Sequence, residues 1–290
     1  MRPLKCPTCP IAALTKSGSV QEVAGDHGRA QLEGEFVGMS DLHRLMPDFV
    51  PKPLAWGMLN DTTKEEKATV DGKEQVTQIP VYFILLEFIQ CVHKLPDKAV
   101  LVERVAELHR KSESPTGQFG YHLTTYDGAK TQVVDWDPSW TSFFTKLLAE
   151  AYRHDVVANG VWPELDRLFQ RTLSHLVPRL VGALESDGRS VRPVLIHGDM
   201  WDGNIAIDRK TGTPRVFDAA VYYAHHEMEM AIWHAPRHRL SRGGYVEEHR
   251  SRFGASEPAS EFFDRILLYS TKTNLMYSAC SPGDRGIRQL

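Results

Sequence analysis

The stretch Val194-Leu-Ile-His-Gly-Asp-Met-Trp-Asp-Gly-Asn-Ile-Ala-Ile-Asp208, followed a short loop later by Arg215-Val-Phe-Asp-Ala-Ala220, decides how the rest of the chain is read. The apolar start predicts a strand, the polar run a tight turn holding Asp199 and Asn204, and the second apolar run another strand. A third strand then delivers Asp218. Two carboxylates and an amide are thereby expected at one sheet edge. Gly198 and Gly203 let the turn fold tightly enough for both side chains to point the same way.

Phosphoryl transfer from a nucleotide needs such a set: a carboxylate near the acceptor hydroxyl and one or two magnesium ions to gather the phosphates. Magnesium prefers oxygen ligands. An Asp, an Asn five residues on and an Asp on the next strand supply them. Asp199 orients the hydroxyl or accepts its proton, while Asn204 and Asp218 hold the metal. Asp-Gly and Gly-Asn pairs also mark ordinary turns, so the spacing alone leaves a purely structural turn open.

Composition narrows the partners. A chain of 290 residues, 42% apolar and 24% charged, can bury the core of one large domain or two lobes. A formal charge of −3 and a pI near 6.5 lack the basic footprint of a nucleic-acid or anionic-membrane binder, so a small or neutral partner is expected. The longest apolar run, Ile79 to Val92, is interrupted by Glu87 and Gln90 and falls short of the roughly 20 residues that span a bilayer. Ile11-Ala-Ala-Leu14 is too short for a secretory signal, and the expected location is the cytoplasm. Cys6 and Cys9 form a C-x-x-C with no second pair at zinc-finger spacing and read as an irregular tail; Cys91 reads as core.

Outward from the central stretch, residues 1–30 show no clear period. Leu32, Phe36, Met39, Leu42 and Leu45 then fall at steps of three and four, predicting a helix at about 30–46 that Pro47 ends. Val50 to Gly57 leads into a strand, the polar loop 60–78 carries Asp71-Gly72 as a turn, and Val81 to Leu86 forms the returning strand. Residues 87–90 leave the sheet as a linker. Further helices are expected at 99–111, 142–157, 162–184, 227–235 and 262–278, with 236–252 a basic, polar connection.

The segment His197-Gly-Asp-Met-Trp-Asp-Gly-Asn204 resembles the H-G-D-L-W-x-G-N signature of fructosamine (ketosamine) kinases, part of the aminoglycoside phosphotransferase and choline kinase group. Leu32 to Met39, Pro51 to Gly57, Phe83 to Phe88 and Phe217 to Glu227 also resemble that family. Trp233-His-Ala-Pro-Arg-His-Arg-Leu240 is similar to its fungal members. The resemblance implies an α+β, two-lobed protein-kinase-like fold: an N-terminal lobe over 1–86 that reads as truncated, a hinge and linker over 87–98, and a mainly helical catalytic lobe over 99–290. It implies ATP and Mg2+ as cofactors and transfer of the γ-phosphate to the 3-hydroxyl of a ketosamine, carried by a glycated protein or a small amine, for deglycation. Neither nucleic acid nor membrane is an expected partner.

By the same resemblance Asp199 is the catalytic base, and Asn204 and Asp218 are the metal ligands. Glu35 is the helix glutamate that pairs with a nucleotide-binding lysine. Glu87, Phe88 and Ile89 offer hinge backbone to adenine, and Trp201, Tyr223 and Glu227 lie near the sugar; His225 and His226 are structural. Three features depart from the family, one of them Ala219 where the family has a proline. The lysine's position falls on or next to Glu22, with Lys16 the nearest lysine upstream, and a carboxylate there repels phosphates. Only 21 residues precede Glu22, and none of them spells a G-x-G-x-x-G. Three readings follow: a ketosamine 3-kinase, a kinase for another small-molecule hydroxyl of the aminoglycoside or choline type, or a non-catalytic binding protein with a degenerate nucleotide lobe.

Overall fold

The structure, a computed structural model, describes residues 13–14, 18–70 and 73–284. Cys6, Cys9, Lys16 and the Asp71-Gly72 turn lie outside the described residues. Strands β1 (Ala13–Leu14) and β2 (Gly18–Ala24), helix α1 (Asp26–Leu45), and strands β3 (Pro53–Val70) and β4 (Lys73–Glu87) come first. The strands form an antiparallel sheet in the order β1-β2-β4-β3. A strand at 18–24 and a helix starting at Asp26 correct the patternless reading of that region. Val23 is buried while Gln21 and Glu22 are only half-buried, so the alternation is weak, and β4 supplies the partner from Ala24↔Val81 to Gly18↔Glu87.

Helix α1 forms where its spacing predicts, with Leu32, Met39 and Leu42 completely buried and Phe36 and Leu45 packed beside them. It also lies hard against the later part of the chain. A Cβ on Gly34 would sit 2.5 Å from the Thr124 carbonyl oxygen, so only glycine fits there. Tyr121 Oη donates to Asp41 Oδ2 at 2.7 Å, and the Arg215 guanidinium donates to the Pro47 carbonyl at 3.0 Å. These contacts fix which residues of α1 face the site.

The chain leaves the first sheet after Glu87, as expected, and makes β5 (Cys91–Val92) and α2 (Lys98–Lys111). Cys91 is half-buried on β5 rather than in the core, because that short strand covers an edge. Asp97 caps α2, accepting from Ala99 N at 2.9 Å and Val100 N at 3.3 Å, and His109, Arg110 and Lys111 suit the negative end of its dipole. A small hairpin of β6 (Tyr126–Asp127) and β7 (Lys130–Thr131) precedes α3 (Trp140–Asn159) and α4 (Pro163–Arg171), which runs on through wider and then tighter turns to Glu185.

Strands β8 (Val194–Ile196), β9 (Ile205–Asp208), β10 (Pro214–Val216) and β11 (Tyr222–Ala224) follow. They do not form the single edge expected. Strand β9 pairs with β10 and β5, whereas β8 pairs with β11, so the turn bearing Asp199 and Asn204 crosses between two small sheets. Residues 226–230 form a tight helical turn leading into α5 (Ala231–His234), and α7 (Phe262–Cys280) closes the core. Between them α6 (Tyr245–Phe253) occupies part of the expected connection; it buries only Tyr245, Val246 and His249, too few to show a period. Among the described residues no helix is long and apolar enough to cross a membrane.

A histidine cluster lies in this core. The ring centroids of His225 and His226 are 4.8 Å apart, those of His226 and His249 5.8 Å, and those of His109 and His226 6.4 Å. Burial, with repulsion from the neighbouring rings and, for His225 and His226, from Arg265, holds His226 down to about 3 and puts His225 and His249 well below the ordinary range. The His225, His226 and His249 rings are therefore held neutral. Unfolded histidine titrates near 6.5, so this contribution is complete above about pH 6.5 and is lost as pH falls toward about 3. Urea denaturation between pH 6 and 4 is expected to show stability falling by about 1.4 kcal/mol per pH unit for each such histidine. His249→Leu reduces that slope.

Candidate active site

Strand β8 hands the chain to a loop that is held from beneath. Buried Glu229 accepts from His197 N at 2.6 Å and Gly198 N at 3.1 Å. Burial works to raise its pKa, but the His109 ring 3.6 Å away and the hydrogen bond from the His197 backbone outweigh that and keep it below the usual carboxylate range. The His197 ring lies 2.9 Å from the Phe217 carbonyl through Nε2, and its Nδ1 accepts from Asp199 N at 3.3 Å. Burial lowers its pKa, so the ring is neutral and its Nε2–H donates to that carbonyl. Gly198 has φ +80°, and a Cβ there would meet the Ala220 carbonyl oxygen at 2.2 Å. No side chain fits this turn.

Asn204 ties the two acids together. Its Nδ2 donates to the Asp199 carbonyl at 2.9 Å, to Asp199 Oδ2 at 3.0 Å and to the Asp218 carbonyl at 3.4 Å, leaving the amide oxygen directed away from Asp199. Asp218 follows β10 with φ +55°, a left-handed conformation that Asp tolerates better than most residues.

Glu35 of α1 completes the acidic group. Burial, then the proximity of Asp218, raises its pKa well above the usual value; burial also raises that of Asp218, and the two carboxyls share a proton. Asp199 is pushed well up by burial, then by Asp127 and Asp218, while Lys272 acts in the opposite direction. With its amide nitrogen turned toward the acids, Gln21 donates to Asp218 Oδ1 at 3.1 Å and Glu35 Oε1 at 3.2 Å. Glu22 projects from the other face of β2, since successive strand residues alternate. The repelling carboxylate expected beside the phosphates is thus absent from that position, and a neutral amide fills it. This surplus of buried oxygen donors, raised in pKa for want of a counter-charge, fits a hard divalent cation.

The remaining expected residues divide. Glu87 is exposed and its N–H already donates to the Lys52 carbonyl at 2.8 Å; Phe88 and Ile89 lie in the connecting segment between β4 and β5. Trp201 is half-buried on the turn, its ring occupying the space a Gly203 Cβ would need and lying 5.4 Å from His238. Tyr223 is a core residue of β11, 6.0 Å from Trp136 and 6.4 Å from Tyr121, rather than a sugar contact. Glu227 is completely buried and both its oxygens are already taken. Arg265 donates to both its oxygens, at 2.7 and 2.9 Å, and Ser256 N donates at 2.8 Å. Its partner lies 38 residues away, so nothing local in the sequence marks it as half of a buried pair. Arg265→Leu is expected to cost about 3–5 kcal/mol in urea denaturation by stranding that charge, and pairing it with Glu227→Leu recovers much of the loss.

Local reading missed Gln21, Asp127 and Lys272. Lys272 is buried and donates to Asp127 Oδ2 at 2.8 Å and Gln132 Oε1 at 2.7 Å, placing a paired charge beside Asp199. A lysine in the middle of the largely apolar 262–278 helix was the available signal.

The family model for fructosamine kinase matches residues 22–239. The chloroplastic protein-ribulosamine 3-kinase of Oryza sativa subsp. japonica is 26% identical over 216 residues, covering 72% of this chain and 53% of its own length. The ketosamine-3-kinase of Mus musculus is 31% identical over 153 residues, covering 52% and 45%. The chain spans about half the length of the curated relatives it matches. Among solved structures, a protein of Haemophilus somnus 129PT provisionally named fructosamine-3-kinase superposes with TM-score 0.67 at 18% identity, covering 91% of this chain and 77% of that one. A thermostable mutant of the aminoglycoside phosphotransferase APH(4)-Ia, in a ternary complex with AMP-PNP and hygromycin B, superposes with TM-score 0.53 at 14% identity, covering 97% and 94%. The fold is that of the aminoglycoside phosphotransferase and kinase-like proteins, and with the match running from the strand that carries Gln21 through the loops that carry Asp199, Asn204 and Asp218, the chain belongs to the fructosamine kinase family.

Proposed function

We propose that the protein transfers the terminal phosphoryl group of ATP to a sugar hydroxyl of a ketosamine adduct. The observation that carries this reading is the Asp199–Asn204–Asp218 constellation on adjoining loops, inside the region that matches the family. The relatives named ribulosamine and ketosamine 3-kinases support the acceptor class, and the neighbour holding AMP-PNP supports the nucleotide.

Asp199 receives the acceptor's hydroxyl proton. Its burial raises its basicity, and the bond from Asn204 to its Oδ2 fixes its direction. Asp218 and the amide oxygen of Asn204 would hold a magnesium ion, which when bound neutralises the phosphate charge. Residues 88–89 meet the adenine, because the Glu87 N–H is already engaged. Loose phosphoryl transfer asks little covalent work of the protein, so these residues act by placing hydroxyl and phosphate in line.

A specific observation favours a second reading, a binding protein without turnover: Gln21 puts no positive charge beside Glu35 and Asp218. Thermal-shift titration with magnesium and ATP separates the two, since millimolar nucleotide that fails to raise the melting temperature favours the binding protein. Transfer to a synthetic fructosamine is then compared with transfer to choline and to aminoglycosides. Transfer to either of the latter without transfer to the ketosamine would sink the favoured acceptor.

A further inference from the structure

We propose that Arg237 binds an anionic group carried by the acceptor, which makes the preferred ketosamine one that bears a carboxylate or a phosphate. The inference rests on the acceptor class given above. Other buried charges here are matched: Arg265 lies on Glu227, Lys272 on Asp127, and Arg215 on Asp208. Arg237 is different. Half-buried just beyond α5, it donates through Nη1 to Asn274 Oδ1 and lies over the Tyr277 ring, 4.3 Å from its centroid. Its Nε is buried with no hydrogen-bond partner, and among the described residues no carboxylate lies within ion-pair distance of it.

A half-buried cation without a carboxylate partner is costly, and its planar fork of donors matches a carboxylate or phosphate. The next two residues meet Asp202 on the turn that carries Asp199, His238 at 3.4 Å and Arg239 N at 3.0 Å, which places Arg237 beside the base; burial lowers the pKa of this guanidinium, while Tyr277, Asp127 and Asp199 act to raise it. Asp127 is already held by Lys272. Arg237 is therefore a surplus cation on the Asp199 and α7 side, across from the Gln21 and Glu35 side where the nucleotide is placed. Asn274 and Tyr277, both on α7, hold its plane, and Nη2, which makes no hydrogen bond among the described residues and is not buried, is the donor left for a ligand.

The test measures binding by calorimetry without nucleotide. One pair of probes is the glycine adduct of 1-deoxyfructose and its glycinamide counterpart; a second is the methylamine adduct with and without a 6-phosphate. The first pair reads a carboxylate on the amine, the second a phosphate on the sugar. In one pair the anionic member is expected to bind about tenfold tighter to the native protein, a ratio that Arg237→Gln brings within about twofold of unity and Arg237→Lys partly restores. Melting temperatures of both variants check that they fold, and the ratio within each pair is insensitive to a merely structural loss.

Equal binding within both pairs overturns the proposal. So does an Arg237→Gln variant that weakens AMP-PNP binding as much as acceptor binding, which would move the residue to the transferred phosphate. Transfer to the neutral adducts is assayed on the same native preparation. Transfer with no charge preference removes the Arg237 site and leaves the ketosamine reading standing; neither transfer nor binding with any adduct removes that reading and the inference with it.

Discussion

Asp199→Asn is expected to lower phosphoryl transfer by at least about a thousandfold, the upper range for loss of a positioned general base. Nucleotide affinity stays within about twofold, because the residue faces the acceptor. The change is nearly isosteric, and its amide oxygen still accepts from Asn204 Nδ2, which now donates to Asp199 Oδ2 at 3.0 Å. Stability moves the other way. Burial and the charges of Asp127 and Asp218 push the Asp199 pKa well up. Such a group contributes stability below its unfolded pKa and loses that contribution as pH rises through the folded one. At neutral pH the ionised acid is a burden, and the amide relieves it. An inactive variant that melts at or above the native temperature is the expected pair of results; full activity in that variant would remove Asp199 from its role.

Gln21→Lys carries the second large effect. The native amide bridges Glu35 Oε1 and Asp218 Oδ1 with hydrogen bonds of 3.2 and 3.1 Å but brings no charge. An ammonium in its place ionises the shared-proton pair and meets the phosphates directly. A charge-assisted hydrogen bond of about 1.5–3 kcal/mol converts to roughly tenfold or more tighter AMP-PNP binding with magnesium, read by calorimetry. Turnover rises in parallel if nucleotide positioning limits it. Unchanged affinity would mean that the nucleotide does not reach this strand, and the binding-protein reading would gain.

Much of this site was legible because its parts lie close together in sequence. Asp199, Asn204 and Asp218 fall within one run of three short strands and their turns, and apolar flanks announce where the polar turn lies. Helix α1 was equally plain, since Leu32, Met39 and Leu42 recur at helical steps. What sequence order hides is lateral pairing. Nothing local says that β8 pairs with β11 and not β9, because β-pairing over such separations depends on the folded core. Glu227 looks like an available acid until Arg265 is found beside it, and Tyr223 looks like a sugar contact until Trp136 and Tyr121 enclose it. The choice between Glu22 and Gln21 turned on a one-residue strand phase, which inverts the face every side chain occupies.

The close approach at Gly34 bears on how Glu35 is held. In sequence α1 lies between strands of the first sheet, yet its anchors at Thr124 and Asp41, with Pro47 just beyond it, join it to the other lobe. Mechanically it is a bridge, packed chiefly on β2, β3 and β4 and touching the later chain at these few points. Glu35 is therefore held beside Asp218 from two sides, so the spacing of that carboxyl pair depends on the sheet and the later chain together.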